Sequence, residues 1–300
     1  MFRSLLIPVD LTPSAERVLG RAAMLPLADG ARVTLVHVIP RWLPTDASKR
    51  AEGDARKALA ATAKRFAKQL PKGTVVEPVV KVGSPAAEIA AHAREVEADL
   101  IVVGRGSGRS IRDAFLGSTA ERIVREGQRP VLVVRLSPRA SYRKPALALE
   151  LDQAACDVIT LLLQTLPSPC PPVAVVHAYN APYQNLIYPS LSEEEGAGYR
   201  NQCRQQAIQG VAKLLAAAVD QVDDPEATEV PWKTYIRHGS PRDVIPKVVE
   251  TANIDLLVLG TRGYAGIAHA FLGTVAGEVL REVGCDVLVV PPRQDTSASA

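Results

Sequence analysis

The chain contains one pattern twice, and that repeat limits the possible folds more than any single motif does. Asp99-Leu100-Ile101-Val102-Val103-Gly104 returns as Asp255-Leu256-Leu257-Val258-Leu259-Gly260, and Ala114-Phe115-Leu116-Gly117 returns as Ala270-Phe271-Leu272-Gly273. Val131-Leu132-Val133-Val134 returns as Val287-Leu288-Val289-Val290, and Gly83-Ser84-Pro85 as Gly239-Ser240-Pro241, all at an offset of 156 residues. Nearer the start, Val36-His37 matches Val176-His177 and Val18 matches Val158 at an offset of 140. The difference, 156 − 140 = 16, is an insertion in the second copy between Val176 and Gly239, and the stretch from Ala181 to Glu229 is its expected place. Each copy is about 140–155 residues long, an ordinary domain size. The expected units are residues 1–138 and 145–293, joined through a basic, Ser- and Pro-containing stretch near Leu136 to Lys144. Residues 294–300 are small and polar and read as a disordered tail.

Within the first copy, apolar runs alternate with helix-like segments. Leu5–Val9, Val33–Ile39, Val75–Lys81, Leu100–Val103 and Val131–Val134 read as strands. Ser14–Leu25, Ala47–Gln69, Pro85–Val96 and Ser118–Glu126 read as helices, with Ser14 or Thr12 as the first N-cap and Pro85 in the first turn of the third. The fold class that follows is α/β: two tandem Rossmann-like domains, each a five-stranded, mostly parallel sheet with helices on both faces. In such sheets ligands bind outside the carboxyl ends of the strands. Asp10, Val38 and the loop starting at Gly104 lie at those ends.

That last loop has a defined spacing. In the second copy Gly260-Thr261-Arg262-Gly263 is followed by nine residues and then Gly273-Thr274. Glycine admits close approach of a ligand to the backbone, and the N-terminus of the next helix offers N–H groups and a positive dipole end to phosphate. No GxxxxGK[ST] is present, and Gly104-Arg105-Gly106 fails to complete GxGxxG because position 109 is Arg.

Composition narrows the classes further. A 47% hydrophobic and 22% charged chain can build a core, and a net charge of +3 does not call for nucleic acid or an anionic membrane as partner. No apolar run reaches the roughly 18 residues that span a bilayer, and no signal segment is evident, so the cytoplasm is the expected compartment. Cys156, Cys170, Cys203 and Cys285 form no CxxC pair and have no His at metal-ligand spacing. His37 and His177 stand at equivalent strand ends and read as packed, hydrogen-bonded side chains.

Taken together, the paired strands, the apolar-His-apolar strand end, the Gly-Ser-Pro before the third helix and the G-x2-G-x9-G-[ST] loop resemble the universal stress protein family, in tandem form, over essentially Phe2 to Pro292. The resemblance implies binding of ATP or another adenine nucleotide, with Mg²⁺ able to accompany the phosphates. Pro8 and Val9 would lead into Asp10, which would bind ribose or lie beside adenine, and the backbone at Val38 would face the adenine edge. Gly104, Arg105, Ser107 and Gly108 would hold ribose and the inner phosphates, and Gly117, Ser118 and Thr119 the outer ones. Glu150, Ala178, Gly260, Thr261, Arg262, Gly263, Gly273, Thr274 and Val275 would take the corresponding places in the second copy. It further implies that the last strands of the two copies pair, making the chain an intramolecular pseudo-dimer, with association of two chains left open.

Each copy departs from the pattern. Ser107 stands where the second glycine belongs, and Ser118-Thr119-Ala120-Glu121 also reads as a capping box that needs no ligand. Glu150 replaces Asp10 in the second copy, whose glycine pattern is intact, so the acid belongs to one copy and the glycines to the other. Phosphate binding is expected slightly more in the second copy than in the first, with both copies able to bind. The leading functional expectation is a nucleotide-binding stress-response or regulatory protein in which any ATP hydrolysis is slow, no base and no acidic metal-ligand set being evident. The alternatives are an enzyme of the wider adenine-nucleotide α-hydrolase-like group, such as a phosphatase or nucleotidyl transferase, and a nucleotide-free interaction module that uses Tyr183, Tyr188 and Tyr199 of the insertion.

Overall fold

The computed structural model of the chain describes residues 1–41, 45–105, 118–126, 128–152, 154–180, 192–221, 229–261 and 273–292. The expectations placed on Ser107, Gly108, Gly117, Arg262, Gly263, Tyr183, Tyr188 and the 294–300 tail fall outside these residues.

Strand β1 (Phe2–Pro8) is followed by α1 (Ala15–Ala22), β2 (Leu27–Pro40), α2 (Thr45–Ala67), β3 (Val75–Gly83), α3 (Pro85–Glu95), β4 (Leu100–Gly104), α4 (Ser118–Glu126) and β5 (Val131–Val134). The second half repeats the order: β6 (Pro145–Ala148), α5 (Ala155–Thr165), β7 (Val173–Tyr179), α6 (Glu193–Gln221), β8 (Trp232–His238), α7 (Pro241–Thr251), β9 (Leu256–Gly260), α8 (Thr274–Glu282) and β10 (Asp286–Val290). All ten strands join one sheet in the order β3-β2-β1-β4-β5-β10-β9-β6-β7-β8. Every pairing is parallel except β5 with β10, which is antiparallel. In each half the strand order reverses at the first strand, between β1 and β4 and between β6 and β9, and there the carboxyl ends open a crevice.

The strands are apolar on both faces because both faces are covered. Leu5, Ile7, Leu100 and Val102 point into one core, while Leu6, Ile101 and Val103 point into the other. Helices α1, α2, α5 and α6 supply the first layer and α3, α4, α7 and α8 the second. Two aspartates hold the starts of these strands in place. Asp99 Oδ2 accepts from the backbone N–H groups of Arg3 (2.7 Å) and Ser4 (2.9 Å), and Asp255 does the same for Arg143 (2.7 Å) and Lys144 (3.0 Å). The acidic residue that opens each repeated strand is therefore a tether to the neighbouring strand.

Two expected boundaries move. β2 starts at Leu27 rather than Val33, because Gly30 at φ +70° and a register shift between Phe2 and Ser4 let the chain join the sheet early. α1 starts at Ala15, but Ser14 is no cap: its backbone is helical, and its hydroxyl donates to Asp10 Oδ2 (3.1 Å). Asp10 Oδ1 also accepts from the Thr12 N–H (3.0 Å) and hydroxyl (2.8 Å), while the first helix N–H groups, of Glu16 and Arg17, go to the Pro13 and Ser14 carbonyls (3.3 Å each).

Candidate functional site

The carboxyl ends of β1 and β2 are stitched together in the same way in both halves. The Val9 N–H donates to Val36 O (2.8 Å) and the Leu149 N–H to Val176 O (2.9 Å). His37 Nδ1 then donates to Val9 O (2.7 Å), as His177 Nδ1 does to Leu149 O (2.8 Å). A carbonyl can only accept, so each ring carries its proton on Nδ1 when neutral and leaves Nε2 as an acceptor. The two histidines are thus hydrogen-bonded structural links.

In the first half this stitched end borders a cleft of about 440 Å³, within the usual range for small-molecule sites. Asp10, Leu11, His37 and Val38 line it from the strand side, and Asp54 and Ala58 from α2. Leu11 has a left-handed backbone, φ +57°, uncommon for a residue with a branched side chain. That turn follows directly from the Asp10 carboxylate closing onto Thr12. Three of the lone-pair positions on Asp10 are filled internally, and a carboxylate offers about four.

Of the glycines at the ends of β4 and β9, the first has a packing role. A Cβ on Gly104 would stand 3.0 Å from Val18 Cγ2, and one on Gly260 would stand 3.5 Å from Val158 Cγ2. The missing side chain at Gly104 lets α1 approach the sheet, whereas at Gly260 a Cβ would make ordinary contact with α5. Arg105 is exposed just beyond Gly104, and its charge bears on Arg135. Arg135 donates to the Leu280 and Val283 carbonyls at the end of α8, and burial holds its guanidinium below its ordinary pKa.

At the other glycine position, Ser118 and Thr274 each begin a helix, α4 and α8, and Thr119 and Thr274 are exposed. Gly273 occupies the N-cap of α8 and has no side chain with which to cap it. Thr261, buried, joins three elements: its N–H donates to Val290 O (3.1 Å) and its carbonyl accepts from the Gly273 N–H (3.2 Å). On α4, Glu121 Oε1 receives the guanidinium of Arg125 (2.9 Å) and, from the other half, that of Arg281 (3.0 Å). Desolvation opposes ionisation of Glu121, but the two arginines prevail and hold it below the ordinary carboxylate range.

The second half differs at the equivalent strand ends. Glu150, at the Asp10 position, is exposed, with its pKa raised first by partial desolvation and then by the neighbouring Asp152 charge. Tyr179 stands where the first half has Ile39, its ring edge-on to His238 at 5.6 Å. The burial pattern of α6 (Ala207, Val211, Leu215, Ala218) repeats that of α2 (Ala55, Leu59, Ala63, Phe66), which puts Gly210 at the Ala58 position. Leu151, the counterpart of Leu11, is not left-handed and reaches this glycine: its Cδ1 lies 2.8 Å from where a Gly210 Cβ would be. α6 also packs on α5, whereas α2 rests chiefly on β3 and β2. Ala178 and Val275 are half-buried nearby in β7 and α8.

The sequence pointed to Asp10, Val38 and the strand ends. It missed the Asp99 and Asp255 tethers, whose signal was their place in the repeat, and the Leu151–Gly210 contact, which carried no signal. Among the described residues no three His, Cys, Asp or Glu side chains are grouped to hold a metal, and no helix is long and apolar enough to cross a membrane.

Known proteins share this architecture. A model of the universal stress protein family matches residues 1–135 and 172–291. Universal stress protein E of Escherichia coli K12 is 43% identical over 61 residues, a stretch that is 20% of this chain and 19% of that protein, so the match spans about a fifth of the relative's length. Universal stress protein Sll1388 of Synechocystis is 28% identical over 153 residues, 50% of this chain and 97% of the relative. The crystal structure of a universal stress protein from Archaeoglobus fulgidus superposes over 96% of both chains with a TM-score of 0.65 at 16% identity, which speaks to the fold.

Proposed function

Because the chain belongs to the universal stress protein family, we propose that it is a stress-response or regulatory protein of the cytoplasm that binds an adenine nucleotide, ATP first among them. The observation that carries this reading is the cleft of about 440 Å³ at the carboxyl ends of β1 and β2, lined by two carboxylates, a histidine and apolar residues such as Leu11, Val38 and Ala58. Its size suits a nucleoside. The two units are 1–138 and 145–293, and the site is assigned by its chemistry within the first.

Pro8 and Val9 bring Asp10 to the mouth of the cleft, where the remaining lone pair of its carboxylate accepts a ribose hydroxyl. The Val38 backbone at the end of β2 faces the edge of the base. Gly104 and Arg105 begin the segment assigned to ribose and inner phosphates, and the N-terminus of α4 at Ser118 and Thr119, with Gly117 before it in sequence, takes the outer ones through its N–H groups and dipole. In the second half Glu150, Ala178, Gly260, Thr261, Gly273, Thr274 and Val275 hold the equivalent positions. Mg²⁺ accompanies the phosphates with water as its main ligand, as it commonly does where no protein cage exists.

The test is to denature freshly purified protein, identify released nucleotide by mass spectrometry, and repeat with added ATP by calorimetry. Asp10→Ala is expected to weaken binding about 10-fold or more, the cost of a charge-assisted hydrogen bond to a hydroxyl. Protein that releases no nucleotide and takes up none at millimolar ATP would sink the proposal.

A further inference from the structure

Ribose presents two vicinal hydroxyls, and each gives up a hydrogen bond to water when it enters a cleft unless an acceptor replaces it. Asp10 cannot serve both. Its Oδ1 already accepts from the Thr12 N–H (3.0 Å) and hydroxyl (2.8 Å), and its Oδ2 from the Ser14 hydroxyl (3.1 Å). Of the roughly four lone-pair positions of a carboxylate, about one stays open. A second protein acceptor has to come from another wall of the cleft.

The α2 wall supplies one. It lines the cleft with Ala51, Asp54, Ala55 and Ala58, spaced i, i+3, i+4 and i+7 and therefore on one stripe of the helix. The three alanines keep this wall low, and Asp54 is its polar group. Among the described residues no hydrogen bond or ion pair engages the Asp54 carboxylate, whereas Glu52 on the same helix is bound by Arg56. No lysine or arginine is among the residues lining the cleft. Two carboxylates without a cation repel phosphate, so the uncharged sugar and base are the part of a nucleotide that suits the space between them. In the second half Glu150 stands at the Asp10 position, and the matched burial patterns of α6 and α2 put Gln206 at that of Asp54.

We infer that Asp54 is the second ribose acceptor, and that Asp10 and Asp54 together make the first-half cleft selective for ribonucleotides over deoxyribonucleotides. This rests on the nucleotide reading above and deepens it. Asp10 takes one hydroxyl through its open lone pair, from the strand side, and Asp54 takes the other from α2. A nucleotide lacking either hydroxyl forfeits one charge-assisted hydrogen bond.

The test is titration calorimetry of the full chain with three probes: ATP, 2′-deoxy-ATP and 3′-deoxy-ATP. The unaltered protein is expected to bind each deoxy analogue about 10-fold more weakly than ATP, the loss of one hydrogen bond to a charged group. Asp54→Ala weakens ATP about 10-fold and erases the preference for one hydroxyl, so that the analogue lacking it binds this variant as well as ATP does. Asp10→Ala erases the preference for the other hydroxyl. Asp54 is exposed on α2, so its replacement leaves the fold intact, and thermal melting checks this for both variants. Equal affinity of the unaltered protein for all three nucleotides overturns the inference and leaves the nucleotide reading standing. So does an Asp54→Ala variant that keeps both preferences, or loss of the same preference in both variants. If the unaltered protein binds none of the three, the nucleotide reading fails and the role of Asp54 falls with it.

Discussion

At the scale of single residues, Asp286 is the most constrained side chain described. It has no exposed surface, and its Oδ1 accepts from the N–H groups of Arg135 (2.7 Å) and Leu136 (2.8 Å). Its Oδ2 accepts from the Tyr142 hydroxyl (2.8 Å) and lies 3.1 Å from Arg21 Nε. Arg21 is itself buried, stacks over the Tyr142 ring at 4.1 Å and donates to Ala140 O (2.9 Å). Burial, and then the Asp286 charge, push the Tyr142 pKa well above its ordinary value, with Arg21 pulling weakly the other way. The unfolded chain loses that proton near pH 10 while the folded chain keeps it. Folding stability is therefore complete below about pH 10 and falls as pH rises beyond it. An ultraviolet titration is expected to leave at least one of the seven tyrosines, Tyr142, protonated until the protein unfolds. Smooth titration of all seven in folded protein would contradict this. Sequence reading passed over Asp286 because it weighed the apolar run Val287–Val290 and not the charge one residue before it.

At the scale of elements, the strand-end glycines separate a packing role from a binding role. A methyl on Gly104 is held to 3.0 Å from Val18, while one on Gly260 finds Val158 at an ordinary 3.5 Å. Gly104→Ala is expected to cost about 1–3 kcal/mol through overpacking, and Gly260→Ala to be neutral or to stabilise by up to about 1 kcal/mol by restricting the unfolded chain. Denaturant melts of the two variants, with Val18→Ala added to the first as a rescue, measure the difference. Equal costs would mean that α1 and α5 do not set the requirement for glycine. Most elements were legible: β5 and α4 fall on their expected bounds because an uninterrupted apolar run and a clear helix start leave little choice. β2 was not, since Asp29-Gly30 reads as a turn and only pairing with β1 extends it. The strand-end half of the site was legible for the same reason as the strands.

At the scale of the whole molecule, the sheet runs unbroken across the two halves. The β5–β10 register is symmetric: Leu132 faces Leu288, with Val133 opposite Val287 and Val131 opposite Val289, so a twofold axis passes between the two leucines. The contacts that flank this axis are not symmetric. Arg125 and Arg281 are equivalent by the 156-residue offset, yet both bind Glu121, whose own equivalent is Gly277. Asp286 likewise has Pro130 for its counterpart. Removing one partner of a buried charge pair costs about 3–5 kcal/mol, and here that loss would fall on the seam. Asp286→Ala is expected to split a single calorimetric transition into two, one for each half. An unchanged single transition would show that the β5–β10 strands alone unite the halves.

That axis changes how such a protein can vary. In an assembly of two identical subunits, every codon change is felt on both sides of the axis, and the partner must be found by mass action. Here the two sides are written separately and the partner is supplied by synthesis, so dilution cannot part them. A substitution that would repel its own image, such as a second arginine facing the first, is tolerable when it is made once.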